Sequence, residues 1–199
     1  MENKIKKLIS FLRKAGNMKT ALRFSENKGM PKDSAASHSW RTSLMCFLLT
    51  DELGIRVDLP KVLKMAIVHD IVESIVGNTD YVLLATNKVS ESQKKEAEKG
   101  AIEELADMLP ELSGLEIYNL WNEYEEGKTR EAKFVKAVNK LETLIYLSEV
   151  GYRYYDRPKL IFNYADEAIS DFPELAGVLE VIKENIKKEF KKGNISWEE

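Results

Sequence analysis

An all-α fold, organised as one domain over residues 1–199, is predicted by three features of the sequence. Apolar residues recur every three or four positions almost throughout, as one face of a helix requires. No segment alternates with a period of two for long enough to build a sheet. Several periodic stretches open on a capping residue and close near a glycine. A chain of 199 residues can bury one sizeable core, and neither an internal repeat nor a Pro/Gly/Ser-rich linker divides it.

A first helix is expected over Lys4–Lys14, followed to Lys32 by a mainly irregular stretch containing Gly16, Asn27, Gly29 and Pro31. A loop of that length is often functional. Asp33 or Ser34 can cap a second helix that carries Trp40, Leu44, Phe47 and Leu48 on one side and ends near Gly54. Asp58 can cap a third, with Pro60 in its first turn and Val62, Met65, Ala66, His69 and Val72 repeating along one face toward Gly77. Charged helices follow at about Ser90–Met108 and Glu111–Glu125, then a longer one at about Thr129–Val150 carrying Phe134, Val138, Leu141, Leu144 and Ile145. Two more, about Pro158–Ile169 and Pro173–Lys192, complete the bundle before a polar tail, Gly193–Glu199, expected to fray.

The charge balance, 30 basic against 33 acidic side chains, gives no footprint for a nucleic acid polymer or an anionic membrane. The one cysteine, Cys46, sits in the apolar run Leu44–Leu49 and is expected as a buried thiol, which suits a reducing cytoplasm. No run approaches the roughly 20 apolar residues needed to span a bilayer, and the start lacks the pattern of an export signal.

Chemistry concentrates in Ala66-Ile67-Val68-His69-Asp70-Ile71-Val72-Glu73. On a helix, Glu73 follows His69 by one turn and Asp70 lies beside it, so an imidazole and two carboxylates can share a cleft. Such a group is costly at the buried end of an apolar helix unless its members satisfy each other or a ligand. Two readings stand: a core histidine capped by a carboxylate, or a metal site. The second histidine, His38, lies among small residues in Ser37-His38-Ser39-Trp40-Arg41. Two imidazoles and a carboxylate would hold a first-row divalent ion with positions left open.

Three segments taken in order carry a resemblance: Asp33-Ser34-Ala35-Ala36-Ser37-His38-Ser39-Trp40-Arg41; Lys64-Met65-Ala66-Ile67-Val68-His69-Asp70-Ile71-Val72-Glu73; and Glu131-Ala132-Lys133-Phe134-Val135-Lys136-Ala137-Val138-Asn139-Lys140-Leu141-Glu142. The sequence resembles the HD-domain metal-dependent phosphohydrolases, and within them the 5'-deoxynucleotidase-like branch. The similarity spans about Phe11 to Val150 and includes Leu120-Trp121-Asn122-Glu123-Tyr124-Glu125. It implies one HD-domain helical bundle with a motif-bearing core over about 11–150, to which the C-terminal helices expected from periodicity over about 158–192 are added. It also implies removal of phosphate from (deoxy)ribonucleoside 5'-monophosphates, and a cytoplasmic homodimer whose partner is a small-molecule nucleotide. By the same resemblance, His38, His69, Asp70 and Asn139 would hold one divalent ion (Co, Mn, Mg or Zn), and Glu73 would be the catalytic carboxylate that orients or deprotonates water. Arg23 would approach the phosphate, although a solvated loop cation is the plainer reading of that residue alone. Phe24 matches the aromatic after this arginine, with a core or a stacking role open, and Asn78 occupies the sugar-contacting position.

The sequence departs from the family pattern at the site itself. Asn139 and Asn78 stand where the family has aspartates, and Ser37 replaces an acidic residue before the first histidine. An amide oxygen still coordinates a hard cation, with one negative charge fewer. Asp80, two residues beyond Asn78, is a candidate substitute. Loss of carboxylate is compatible with altered metal or substrate preference, or with a protein that binds metal or nucleotide without turnover. Retention of His38, His69, Asp70, Glu73 and Arg23 favours the enzyme.

Overall fold

The computed structural model describes residues 1–155 and 157–197. It is a helical bundle, with one two-residue antiparallel pair as the only sheet among the described residues. Helix α1, Glu2–Ala15, runs into a short 3-10 turn at Gly16–Lys19. The stretch expected as a loop then closes on itself, because β1 (Leu22–Arg23) pairs with β2 (Asp33–Ser34), setting Leu22 opposite Ser34 and Arg23 opposite Asp33. The strap between them is held along its length. Tyr146 Oη donates to Pro31 O at 2.7 Å, Asn27 Nδ2 to Tyr154 O at 2.6 Å, and Glu26 N to Asp80 Oδ2 at 3.0 Å.

Helix α2, Ala35–Leu53, is capped by Ser34, whose hydroxyl accepts from Ser37 N, and it closes on Gly54 in the left-handed conformation that favours glycine. Asp33, the other candidate cap, has turned to Arg23 instead. The buried face of α2 is not the apolar side but the one bearing Ala35, His38, Ser39, Thr42, Cys46 and Thr50. Small side chains there allow close packing on both neighbours, α3 (Leu59–Val68) and α8 (Arg130–Val150). Trp40, Leu44, Phe47 and Leu48 are left in solvent, Trp40 at 67% of its full exposure. Burial pushes the Cys46 thiol up to about 12, so it is inert as a nucleophile.

The third helix is shorter than its apolar period suggests. Asp58 accepts from Lys61 N and Pro60 lies in the first turn, as expected, but α3 stops at Val68. His69 Nδ1 donates to Ala66 O at 2.8 Å, the carbonyl that a continuing helix would offer to the Asp70 N–H. The main chain tightens into three-residue steps, Ile71 N to Val68 O and Glu73 N to Asp70 O, before a single-turn α4 at Glu73–Val76. Asp70 therefore projects from a turn between two helices rather than from a helix face.

A short α5, Tyr81–Ala85, was not signalled by the sequence and is capped by Asp80. Helix α6, Glu91–Asp107, opens on a capping box of Ser90 and Gln93, and α7 covers Glu111–Glu126. Thr129 caps α8, on which Phe134, Val138, Leu141 and Leu144 are completely buried between α2, α3, α7 and α10 (Ala176–Lys192). Each such side chain contributes on the order of 1.5–3 kcal/mol, which makes α8 the axis of the bundle. The C-terminal region departs further from expectation. Instead of a helix over 158–169 there is a 3-10 turn, Pro158–Leu160, and a short α9, Asp166–Ser170. A 3-10 turn at Pro173–Leu175 then leads into α10, Ala176–Lys192. The tail expected to fray is anchored as far as Trp197, whose ring meets Phe190 edge-on at 5.1 Å and also packs on Phe162, while Glu198 and Glu199 lie outside the described residues. No helix among the described residues is long and apolar enough to cross a membrane.

Candidate metal centre

The close packing of α2 on α3 brings the two histidines together from opposite sides. His38 and His69 are both buried, and their Nε2 atoms lie 3.4 Å apart. Asp70 Oδ2 lies 3.2 Å from His69 Nε2 and 3.7 Å from His38 Nε2. Ligand atoms bound to one first-row ion at about 2.0–2.2 Å stand roughly 3–3.5 Å from one another, so this spacing suits one cation shared by all three. The outer nitrogens fit the same purpose. His69 Nδ1 is committed to Ala66 O and His38 Nδ1 to Glu142 Oε2, which leaves both Nε2 atoms on the side of Asp70, available as ligands to a cation.

The charges of the cluster are polarised. Burial, the strongest influence on His38, leaves it below its ordinary value despite the Glu142 carboxylate. Burial also works against charge on His69, but Asp70 and the Ala66 carbonyl outweigh it and the net shift is upward. Asp70 resists its own burial because His69, His38 and Arg23 surround it, and it is held far below the usual carboxylate range.

Glu142, one turn after Asn139 on α8, closes the third motif, whose pattern assigns it no role. It is 1% exposed and accepts on both oxygens: His38 Nδ1 and Arg23 Nη1 (3.2 Å) at Oε2, Arg41 Nε (2.9 Å) and Nη2 (2.8 Å) at Oε1. Arg41 reaches on to Glu149 at 2.7 Å. Arg23, read from sequence as a phosphate ligand or a solvated loop cation, is buried rather than solvated. Its Nη1 also donates to Asp33 Oδ2 at 2.7 Å, and its Nη2 to Thr143 Oγ1 at 2.7 Å. Burial opposes its charge, and the carboxylates of Glu142, Asp33 and Asp70 more than restore it.

Glu73 stands at the start of α4, 9% exposed. Asn78 Nδ2 donates to its Oε1 at 2.6 Å, whereas its buried Oε2 has no protein partner. Burial and the neighbouring Asp70 push its carboxyl up to about 8. Asn78 is thus tied to Glu73, a role its amide can fill and an ionised aspartate could not. Asp80 does not stand in for an aspartate at 78, because its oxygens are taken by the Val82 and Glu26 N–H groups. Asn139 Nδ2 donates to Tyr124 Oη at 2.8 Å, and the Tyr124 ring lies 5.2 Å from His69, so Asn139 approaches the centre through this tyrosine with its amide oxygen unspent on that bond.

Arg23, bonded to Glu142, and Asn78, bonded to Glu73, both line a cavity of about 740 Å³ whose walls do not include His38, His69 or Asp70 themselves. Phe24, in the left-handed region at φ 54°, contributes its wall and stacks on Tyr146 at 5.5 Å, while the Arg23 guanidinium lies 5.1 Å from its ring centre. More of the lining comes from the segment after α8, with Tyr154, Tyr155, Arg157, Leu160, Ile161 and Tyr164 all contributing.

The family model described as HD domain matches residues 15–168. The chain is 33% identical over 162 residues to the 5'-deoxynucleotidase HDDC2 of Dictyostelium discoideum, covering 78% of this chain and 81% of that protein. The 5'-deoxynucleotidase HDDC2 of Homo sapiens is 31% identical over 145 residues, 71% of this chain and 67% of the relative. Among solved structures, a conserved hypothetical protein from Pyrococcus furiosus is 30% identical and superposes with a TM-score of 0.69 over 88% of this chain and 99% of the other. A predicted metal-dependent phosphohydrolase from Magnetospirillum magnetotacticum shares the fold at 24% identity, with a TM-score of 0.74 over 98% of this chain and all of the other. By its matched span, and by relatives that align with most of its length, the chain belongs to the HD-domain family.

Proposed function

We propose that this protein is a metal-dependent phosphohydrolase that removes phosphate from deoxyribonucleoside 5'-monophosphates. The observation that carries the reading is the convergence of His38 Nε2, His69 Nε2 and Asp70 Oδ2, with Glu142 and Glu73 linking that cluster to Arg23 and Asn78 on the wall of a cavity. The names of the relatives supply the substrate class.

His38, His69 and Asp70, joined by Asn139, would hold a divalent cation (Mn, Co, Mg or Zn), which would supply positive charge to acidify water and Glu73 and to draw charge off the phosphoryl oxygens. The rest is done by the chain. Glu73 Oε2, buried and unpartnered, receives the proton of the attacking water, while Asn78 keeps Oε1 in place. The new bond forms between that water oxygen and phosphorus, the bond from phosphorus to the 5' oxygen breaks, and the 5' oxygen takes a proton from solvent while Glu73 gives its own back to solvent, giving nucleoside and inorganic phosphate. Arg23 spends three of its five N–H donors on Asp33, Glu142 and Thr143. Nε–H and one Nη2 hydrogen remain for a phosphate oxygen, held by a guanidinium that cannot swing away. Phe24 borders the nucleoside part of the cavity, already stacked on Tyr146 and so fixed in position.

Phosphate release from a panel of deoxy- and ribonucleoside 5'-monophosphates, measured with each of the four cations and after chelation, tests this reading. Turnover is expected with cation, higher on the deoxy substrates, and absent with chelator. No release from any nucleotide or generic phosphomonoester under any cation would leave a protein that binds without turnover.

We place the protein in the cytoplasm, on the strength of a lone, buried, unreactive cysteine. We also take it to be a homodimer through the exposed side of α2, where Trp40, Leu44, Phe47 and Leu48 form a stripe that a second copy can cover about a two-fold axis. Phe47→Asp with Leu44→Asp is expected to halve the mass measured by light scattering while leaving the helical circular-dichroism signal intact. An unchanged mass would move the interface elsewhere.

A further inference from the structure

We propose that Glu142 is a positioning residue that fixes both the metal-facing imidazole of His38 and the cavity-facing guanidinium of Arg23, with Arg41 as the clamp that holds it. The inference rests on the reading of this site as a metal-dependent phosphohydrolase and adds to it a residue that touches neither ion nor substrate.

Glu142 lies 104 positions from His38 and 119 from Arg23 in sequence, yet one oxygen, Oε2, accepts from both. A carboxylate buried this completely is costly unless its lone pairs are used, and here every partner is a charged or titratable donor. If Glu142 served only to fill the α2–α8 interface, an apolar residue would do so at lower cost. What the carboxylate adds is direction. With its proton held on Nδ1, His38 can only present the Nε2 lone pair to the Asp70 side of the site. A carboxylate behind a ligating histidine also makes the imidazole a stronger donor, which matters where Asn139 leaves Asp70 as the sole anionic group of the proposed ligand set. On the other branch, Arg23 Nη1 is bracketed by Glu142 and Asp33, and its Nη2 is tied to Thr143, the residue after Glu142 on α8. One rigid turn of α8 therefore sets the distance between ligand and phosphate donor. Arg41 fixes the second oxygen from the protein's edge by two bonds and is itself anchored on Glu149.

Glu142→Gln tests this through readouts beyond turnover. In the ion-free protein, ¹⁵N NMR of His38 is expected to show the Nδ1-protonated tautomer in the native chain and a mixture in the variant. Isothermal titration with Mn²⁺ is expected to show affinity weakened about 10- to 100-fold, and KM for deoxynucleotide is expected to rise as Arg23 loses its bracket. Arg41→Gln, which leaves the His38 bond intact, should give a smaller shift in the same direction and serves if Glu142→Gln does not fold. An unchanged tautomer with unchanged Mn²⁺ affinity in folded Glu142→Gln protein overturns the proposal. Native protein that binds no Mn²⁺ would remove the metal-dependent function instead, and the tautomer would still decide what Glu142 does.

Discussion

Asp70→Asn is expected to strip the protein of its ion and its activity while leaving the fold in place. Asp70 is the only anionic member of the proposed ligand set, since His38 and His69 are neutral as ligands and the fourth position is the amide of Asn139. Removing one partner of a buried charge pair costs about 3–5 kcal/mol, which corresponds to a loss in cation affinity of roughly 10²- to 10⁴-fold. Asparagine keeps the shape, so the cost is electrostatic. Metal content after purification without chelator, together with a Co²⁺ titration followed by absorbance, checks it, and native-like metal content in the variant would sink the assignment. The opposite substitution, Asn139→Asp, adds an anion at the fourth position and is expected to tighten binding in the same titration. Asp70 also has a signature in the ion-free protein. Its folded value lies far below its unfolded one, so the stability it contributes is present above the ordinary carboxylate range and is lost as pH falls through the depressed value. Asp70→Asn should therefore flatten the acid limb of the stability curve.

The apolar period of three and four was sufficient to read the helical class and the α8 core, because Phe134, Val138, Leu141 and Leu144 obey it and are buried. It failed where polar chemistry overrides packing. The repeat Val62, Met65, Ala66, His69, Val72 runs straight through the end of α3, and nothing in spacing tells that the His69 ring takes the Ala66 carbonyl and stops the helix. On α2 it picked the exposed stripe, because the face that packs is made of small and polar residues whose buried value is to bring His38 to His69. The family motifs marked the two histidines and Asp70, which the structure brings together. They could not show that Arg23 is welded to residues ten, 119 and 120 positions away, or that Tyr154, Tyr155, Arg157, Leu160, Ile161 and Tyr164 line the cavity. The first depends on how the β1–β2 pair lies against α8 and the second on how the segment after α8 returns to it, and no local pattern encodes either.

Glu73→Gln is expected to lower kcat by about 10²- to 10⁴-fold, the usual worth of a positioned general base, with little change in cation affinity. The substitution is nearly isosteric, and a glutamine carbonyl oxygen can still accept from Asn78 Nδ2, so geometry is retained and only the proton acceptor is lost. The same variant has a second consequence with a definite sign. In the ion-free protein the Glu73 carboxyl is lifted from its ordinary value of 4.5 to about 8, first by burial and then by Asp70. Between those values the folded state keeps a proton that the unfolded chain has released, so the native protein loses stability as pH rises through that window. Glutamine carries no such proton. Glu73→Gln should match the native protein in thermal stability near pH 4.5 and exceed it increasingly toward pH 8, with chelator present to keep the site free of ions. A retained kcat would remove Glu73 from the chemistry. If kcat falls but the two stability curves run parallel, Glu73 is ionised in the folded ion-free protein, and the proton acceptor then exists before any cation binds.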